Sequence, residues 1–334
     1  MTNVEGNPRD TERLGAEGSR NPQGGRDKTA AITTFAQLRA RAEELGRKRV
    51  GLVAADDEVA MRAVESAAEL KMAIPVLFGD EAKIRSKIEA LGAQALVESA
   101  VFVPAGDAVG AARAAVRMAR DGEVDLLLKG HLRTDELLRA ALDKQNGLRT
   151  GRLLSDVLLY EDTLAGGPRL VGITDGGINV APTFDEKKQI VHNALAVLRA
   201  LGIERPKIAL MSATEVVTES VPSTLDAKRL TEMGAGGEFG ECEIFGPLAL
   251  DNALLESAAK AKGITSRVAG HADCMVVANI EAGNLLGKAV KYFGGSPCAH
   301  VVVGAKVPIL IPSRVESVGD KLNSIALGVV ASGG

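Results

Sequence analysis

Along most of this chain, short apolar runs bounded by charge or glycine alternate with stretches whose apolar residues recur at helical spacing. A helical stretch behind Thr33 and Thr34 leads into a buried strand over 48–55 (KRVGLVAA). A helix is predicted over 57–72, a strand over 75–78, and a helix over 81–91 that Gly92 closes. An alanine-rich helix over 107–120 then precedes a strand over 124–128, whose end delivers Lys129, Gly130 and His131. Thr134 is the expected cap of the next helix, with Asp135 and Glu136 in its first turn and Gly147 as its stop. Further strands are predicted over 169–174, 207–211, 241–245, 274–278, 300–304 and 307–311, most of them separated by segments of helical period. Such alternation implies an α/β fold with a largely parallel sheet and crossover helices.

Residues 1–30 are rich in Gly, Asn, Arg, Glu and Asp without apolar periodicity, and are expected to form a disordered tail. The remaining chain is long enough for two ordinary cores. A boundary near Gly151, with the C-terminal strand and helix returning to the first core, gives a discontinuous domain I over 31–150 plus 300–334 and a domain II over 151–299.

Lys and Arg total 40 against 43 for Asp and Glu, and aromatic residues are 3% of the chain. Neither an electrostatic footprint for nucleic acid nor stacking platforms for single strands are present, so the expected ligand is small. No apolar run reaches the roughly 18 residues that span a bilayer, and the residues after Met1 are polar, so a cytoplasmic protein without membrane partners is expected. The three cysteines, Cys242, Cys274 and Cys298, form no pair with disulfide or metal spacing, and the four histidines show no ligand spacing. No metal site is expected.

The candidate chemistry lies between apolar runs. The strand over 307–311 ends in Ser313 and Arg314, a hydroxyl beside a fixed cation in a loop where local structure demands no arginine, which suits an anionic substrate such as phosphate. Ser317 and Asp320 follow with the spacing of a capping box, so Asp320 by itself reads as a helix-start residue. Lys129, Thr134 and Arg139 form a second cluster, where Arg139 fits either a solvated helix face or an anion site. Arg149, Arg152 and Ser155 add cations and a hydroxyl before another apolar run. Asn279 and Asn284, around a strand-to-helix junction, fit either cap bonds or ligand bonds. The glycines at 234, 236 and 237 follow a helix rather than a strand, so they mark a helix end and not a dinucleotide fingerprint.

Together these segments resemble the phosphate acetyltransferase and phosphate butyryltransferase family. The resemblance runs from about Val50 to Val330. It rests on Lys129 and Gly130 with TDELL at 134–138, GLRTGRLLS at 147–155, NVAP at 179–182, GPLALDN at 246–252, NIEAGN at 279–284, Ser313 and Arg314, and KLNSIAL at 321–327. It implies two α/β domains of the isocitrate/isopropylmalate dehydrogenase-like fold with a cleft between them, a homodimer, and exchange of a short acyl group between coenzyme A and phosphate in a ternary complex. No bound cofactor is implied; coenzyme A, acyl-CoA and phosphate are substrates. Ser313, Arg314 and Asp320 fall on the catalytic motif of the acetyl branch, where the serine bonds the reacting centre, the arginine binds phosphate and the aspartate helps deprotonate the thiol. Lys129, Thr134, Arg139, Arg152, Ser155, Asn279 and Asn284 are the expected substrate and coenzyme A contacts. GPLALDN is closer to the butyryl branch, so both acetyl and butyryl chains are candidates.

A thiol of pKa about 8.5 and an aspartic acid of about 3.9 differ by about 4.6 units, so full proton transfer between them is uphill by about 6 kcal/mol. Stabilisation of the thiolate by a cation, together with positioning, is the physically easier route. Two rival readings are a non-catalytic acyl-CoA sensor, which need not keep the catalytic trio, and an NAD- and metal-dependent decarboxylating dehydrogenase of related fold, which needs a cluster of metal-binding aspartates.

Overall fold

The structure, a computed structural model that describes residues 30–164 and 167–333, alternates strands and helices as the hydrophobic pattern predicts. The tail expected over 1–30 lies, but for residue 30, outside the described residues. The first elements are α1 (Phe35–Leu45), β1 (Lys48–Val53), α2 (Glu58–Glu69), β2 (Ala73–Gly79), α3 (Glu81–Leu91), α4 (Gln94–Ser99), β3 (Val101–Pro104), α5 (Ala108–Arg120), β4 (Leu126–Lys129) and α6 (Thr134–Ala141). Then come β5 (Ser155–Asp162), β6 (Arg169–Thr174), α7 (Phe184–Ala200), β7 (Lys207–Met211), α8 (Pro222–Ala235), β8 (Glu243–Leu248), α9 (Leu250–Leu254) and α10 (Glu256–Ala261). The last are β9 (Cys274–Val276), α11 (Ile280–Tyr292), β10 (Cys298–Val303), β11 (Ile309–Leu310) and α12 (Val318–Ala331).

Short polar side chains set many of the helix starts. Thr34, Asp57, Asp80 and Asp107 each accept a backbone N–H from the first turn of the helix they precede, which satisfies one of that helix's orphan donors. Thr134 departs from expectation. Arg133 takes the cap position and Thr134 is the first helical residue; the Glu136 carboxylate reaches back to accept the Arg133 N–H at 2.9 Å. The helix also ends at Ala141 rather than at Gly147, whose backbone packs so closely on the Ala141 and Asp143 carbonyls that a Cβ would overlap them.

The strands form one sheet in the order β3-β2-β1-β4-β11-β10-β5-β6-β9-β7-β8. Pairing is parallel on both flanks, and antiparallel between β11 and β10, β10 and β5, and β5 and β6. The mostly parallel sheet thus has an antiparallel centre. That centre includes β5, a strand the apolar pattern did not define, because Asp156 and Asp162 interrupt its run and yet are buried. The strand predicted over 241–245 sits at Glu243–Leu248, on the sheet edge, where Pro247 leaves no ladder partner without a donor.

β1 and β4 are buried along most of their length, as central parallel strands covered on both faces must be. β11 returns to pair with β4, and α12 packs against α1, α2 and β10. Nearly every residue of α12 from Asp320 to Val330 is buried, the polar Asp320, Lys321, Asn323 and Ser324 included. Since β11 is parallel to β4, Lys129 and the loop at 311–316 emerge at one edge of the sheet.

Candidate active site

A cavity of about 260 Å³ lies over the antiparallel centre of the sheet. Leu158, Ile173, Tyr292 and Ile311 supply apolar wall, while Thr134, Asn284, Lys288, Lys291 and Ser313 supply polar wall. Asp156, His300 and Glu316 also line it. Gly176 and Gly177, just past β6, complete it where backbone approaches closely: a Cβ on Gly176 would lie 2.7 Å from the Gly283 carbonyl carbon, and one on Gly177 2.9 Å from an Asp156 oxygen.

Of the residues singled out from sequence, Ser313, Thr134 and Asn284 line this cavity. Arg314 is exposed beside Ser313, and Lys129 and Lys321 are both buried close by. Burial, then the Lys321 and Arg314 charges, hold the Lys129 ammonium below its ordinary range. Lys321 donates to the Ser313 carbonyl at 3.2 Å. Three cations, Lys129, Arg314 and Lys321, thus gather near the Ser313 loop, with Glu316 among them.

Arg139, Arg152, Ser155 and Asn279 do not line the cavity. Arg139 is exposed and pairs with Asp135 at 3.5 Å. Arg152 donates to Asn193 at 2.6 Å, and Asn193 donates to the buried Ser155 hydroxyl at 2.8 Å, a network that ties the start of β5 to α7. Asn279 caps α11 by accepting the Ala282 N–H at 3.0 Å. Asn284 donates to the Gly176 carbonyl at 3.3 Å, holding the glycine turn to α11.

Asp320 sits, as its spacing predicts, at the third position of α12, with Ser317 as the cap. Its tertiary partners were not legible. One oxygen accepts from Lys291 at 2.6 Å and from the Ser317 hydroxyl and N–H; the other accepts the Cys298 N–H at 3.0 Å. Burial alone would raise its pKa, but the bonds from Lys291, Ser317 and Cys298 outweigh that and keep it below the ordinary carboxylate range.

The residues missed by sequence reading are polar groups inside, or just past the end of, apolar strands. His300, on β10, lies 3.1 Å from Asp156 through Nδ1 and 3.5 Å from Glu316 through Nε2. Burial opposes its charge, yet Asp156 and Glu316 prevail and push its pKa up to about 9. Asp175 accepts from the N–H groups of Gly177 and Ile178 and from Asn179. Burial first, and then the neighbouring Asp156 charge, push it up to about 6. A lone Asp within SDVLLY and a lone His within CAHVVV were the available signals, since buried charges require partners.

Glu316 holds the Ser313 loop, its Oε1 accepting the Ser313 N–H at 2.9 Å.

A model described as phosphate acetyl/butaryl transferase matches residues 106–329, two thirds of the chain and all of the cavity lining. The chain belongs to this family. It is 36% identical over 298 residues to the phosphate butyryltransferase of Clostridium beijerinckii, covering 89% of this chain and 97% of that one. It is 37% identical over 283 residues to the phosphate acetyltransferase of Thermotoga maritima, covering 85% and 95%. Among solved structures, a branched-chain phosphotransacylase from Enterococcus faecalis superposes with a TM-score of 0.74 at 28% identity, covering 85% of this chain and 99% of that one. A 4-hydroxythreonine-4-phosphate dehydrogenase from Klebsiella pneumoniae, at a TM-score of 0.51 and 14% identity over 85% of this chain and 99% of that one, shares the fold alone. The family's members of both names match over similar spans, so the likeness does not separate acetyl from butyryl chemistry. Among the described residues no group of three or more His, Cys, Asp and Glu is placed to hold a metal ion, as a metal-dependent dehydrogenase would require, and no helix is long and apolar enough to cross a membrane.

Proposed function

We propose that this chain is a phosphate acyltransferase that exchanges a short acyl group between coenzyme A and inorganic phosphate by direct transfer in a ternary complex. The observation that carries this reading is the meeting of an apolar wall with a cation-rich rim at Ser313. Leu158, Ile173 and Ile311 offer dry surface to an acyl chain, while Ser313, Arg314, Lys129 and Lys321 gather at the loop where phosphate would bind. Holding both reactants there removes the entropic part of the barrier, and fixed positive charge stabilises the anionic tetrahedral centre that forms as the acyl carbon is attacked.

In this reading Arg314 binds phosphate and Ser313 donates to the reacting oxygen. Asp320 holds Lys291 at the cavity wall. Thr134 and Asn284 contact substrate, and Arg139 and Arg152 are the proposed partners of the phosphates of the coenzyme A nucleotide. Residues 31–150 plus 300–334 and residues 151–299 act as two domains flanking the cleft. A cytoplasmic homodimer fits the free thiols of Cys242, Cys274 and Cys298 and the exposed apolar side chains of Leu285, Tyr292 and Phe293 on and just after α11.

The test is thiol release from acetyl-, propionyl- and butyryl-CoA with and without phosphate or arsenate. Phosphate-dependent release with at least one of them is expected. Binding of acyl-CoA without any release would favour a sensor, and no phosphate-dependent turnover of any short acyl-CoA would defeat the proposal.

A further inference from the structure

The acyl wall of the cavity carries one ionisable ring. On the sheet, His300 of β10 pairs with Leu158 of β5, and Leu158 pairs in turn with Ile173 of β6. Directly paired residues share a face of a sheet. The imidazole is therefore the third member of the row whose other two members offer dry surface to the acyl chain, and all three line the cavity. Its side chain is 18% exposed. Nδ1 lies 3.1 Å from Asp156 Oδ2, and since a carboxylate only accepts, Nδ1 carries a hydrogen. Nε2 faces Glu316 Oε1 at 3.5 Å, too far for a good hydrogen bond, and that oxygen already accepts the Ser313 N–H at 2.9 Å. The two carboxylates hold the ring in its charged form, with its pKa pushed up to about 9, so Nε2 also carries a hydrogen.

Placing such a ring beside Leu158 costs desolvation that a purely alkyl substrate does nothing to offset. Charge and place together narrow what the Nε2 hydrogen is for. Asp156 and Glu316 flank the ring and also line the cavity, so the cluster is net negative and repels an anionic substituent. Lys291, on the α11 wall, is already committed to Asp320 at 2.6 Å. A single Glu316 oxygen separates Nε2 from the Ser313 amide, which puts the acceptor close to the reacting carbon. The row continues from His300 into Leu158, which puts it on the acyl side of that carbon. An uncharged oxygen on the second or third carbon of the acyl chain meets all of these conditions.

We propose that His300 is a specificity-determining residue whose Nε2–H selects a short acyl chain bearing a hydroxyl or oxo oxygen on its second or third carbon; this rests on the acyltransferase reading above. An oxygenated chain gives the donor its acceptor. An unsubstituted chain of the same length leaves the donor unpaired against apolar surface, and a site built to bond an oxygen discriminates against the analogue that lacks it. Asp156, closed over by the backbone of Gly177, fixes the ring from the Nδ1 side.

The experiment measures kcat/KM for phosphate-dependent thiol release from butyryl-, 2-hydroxybutyryl-, 3-hydroxybutyryl-, acetoacetyl- and succinyl-CoA, with the wild-type chain, His300→Leu and His300→Gln. No phosphate-dependent release from any of them would defeat the acyltransferase reading together with this one. With turnover present, at least one of the hydroxy or oxo chains should exceed butyryl-CoA about tenfold or more in the wild type, and which one it is tells hydroxyl from oxo and the second carbon from the third. That ratio should collapse to about threefold or less in His300→Leu, whereas His300→Gln, which keeps an N–H donor, should retain more of it. Butyryl-CoA or succinyl-CoA matching every hydroxy and oxo chain in the wild type would overturn the assignment and leave the acyltransferase reading standing. An equal fall for butyryl-CoA and the oxygenated chains in His300→Leu would overturn it as well, because Nε2 would then serve the carbonyl that all of them share. Should the variants fail to fold, the wild-type ratio decides the matter alone.

Discussion

Gly287 faces the apolar end of the cavity from α11, and a Cβ placed on it would lie 2.9 Å from Leu158 Cδ1. A larger residue there takes the volume that the far carbons of a four-carbon acyl chain would use, whereas a two-carbon chain stops short of it. Gly287→Val should therefore lower kcat/KM for butyryl-CoA about tenfold or more relative to acetyl-CoA, in line with what one or two methylenes are worth in an apolar pocket. Competing the two acyl-CoAs against each other measures the ratio directly; an unchanged ratio would move the acyl chain to another part of the cavity. At this scale the sequence was partly legible. Ser313 and Arg314 stood out because nothing local required them, but Gly287 looked like any helical glycine, since Leu158 lies far away in the chain and becomes its neighbour only through packing.

Capping boxes belong to single elements, and that of α12 was read correctly from Ser317 and Asp320 alone. What the spacing did not disclose is that Asp320 also joins α12 to Lys291 on α11 and to the start of β10. Asp320→Asn keeps a side-chain oxygen for the cap but leaves the Lys291 ammonium without its charge partner. Removing one member of a largely buried pair should cost about 2 kcal/mol or more. A urea midpoint that falls clearly, with activity falling in step, is the expected outcome. Unchanged stability with lost turnover would instead mean that Asp320 acts on the substrate. The α6 start shows the converse limit: Thr134 has the better capping chemistry, yet the longer reach of Glu136 to the Arg133 N–H sets the boundary one residue earlier.

Across the whole molecule, the cluster of His300, Asp156 and Glu316 ties β10 to β5 and to the loop after β11. His300 is held up to about 9 in the fold, against about 6.5 for an unfolded histidine. Because the folded value is the higher one, the charged imidazole stabilises the fold fully below about pH 6.5, and that contribution is lost as pH rises through about 9. Thermal midpoints measured from pH 6.5 to 9.5 should decline, and His300→Gln should start lower and flatten the decline. An equal slope in both proteins would remove His300 from the account. No reading of one strand could have found this cluster, since its three members lie at positions 156, 300 and 316 and meet only in the finished sheet.

The sequence by itself determined the α/β class, many of the helix starts and strand positions, and the family resemblance. These depend on periodicity, short-range capping bonds and local motifs, which act over a few residues. The tertiary structure alone decided that the sheet has an antiparallel centre, that Arg139, Arg152, Ser155 and Asn279 do not line the cavity, and that Asp156, His300 and Glu316 meet at its wall. Strand order and the burial of charge are set by which distant segments pack together, and that long-range energy is not written in any short stretch of chain.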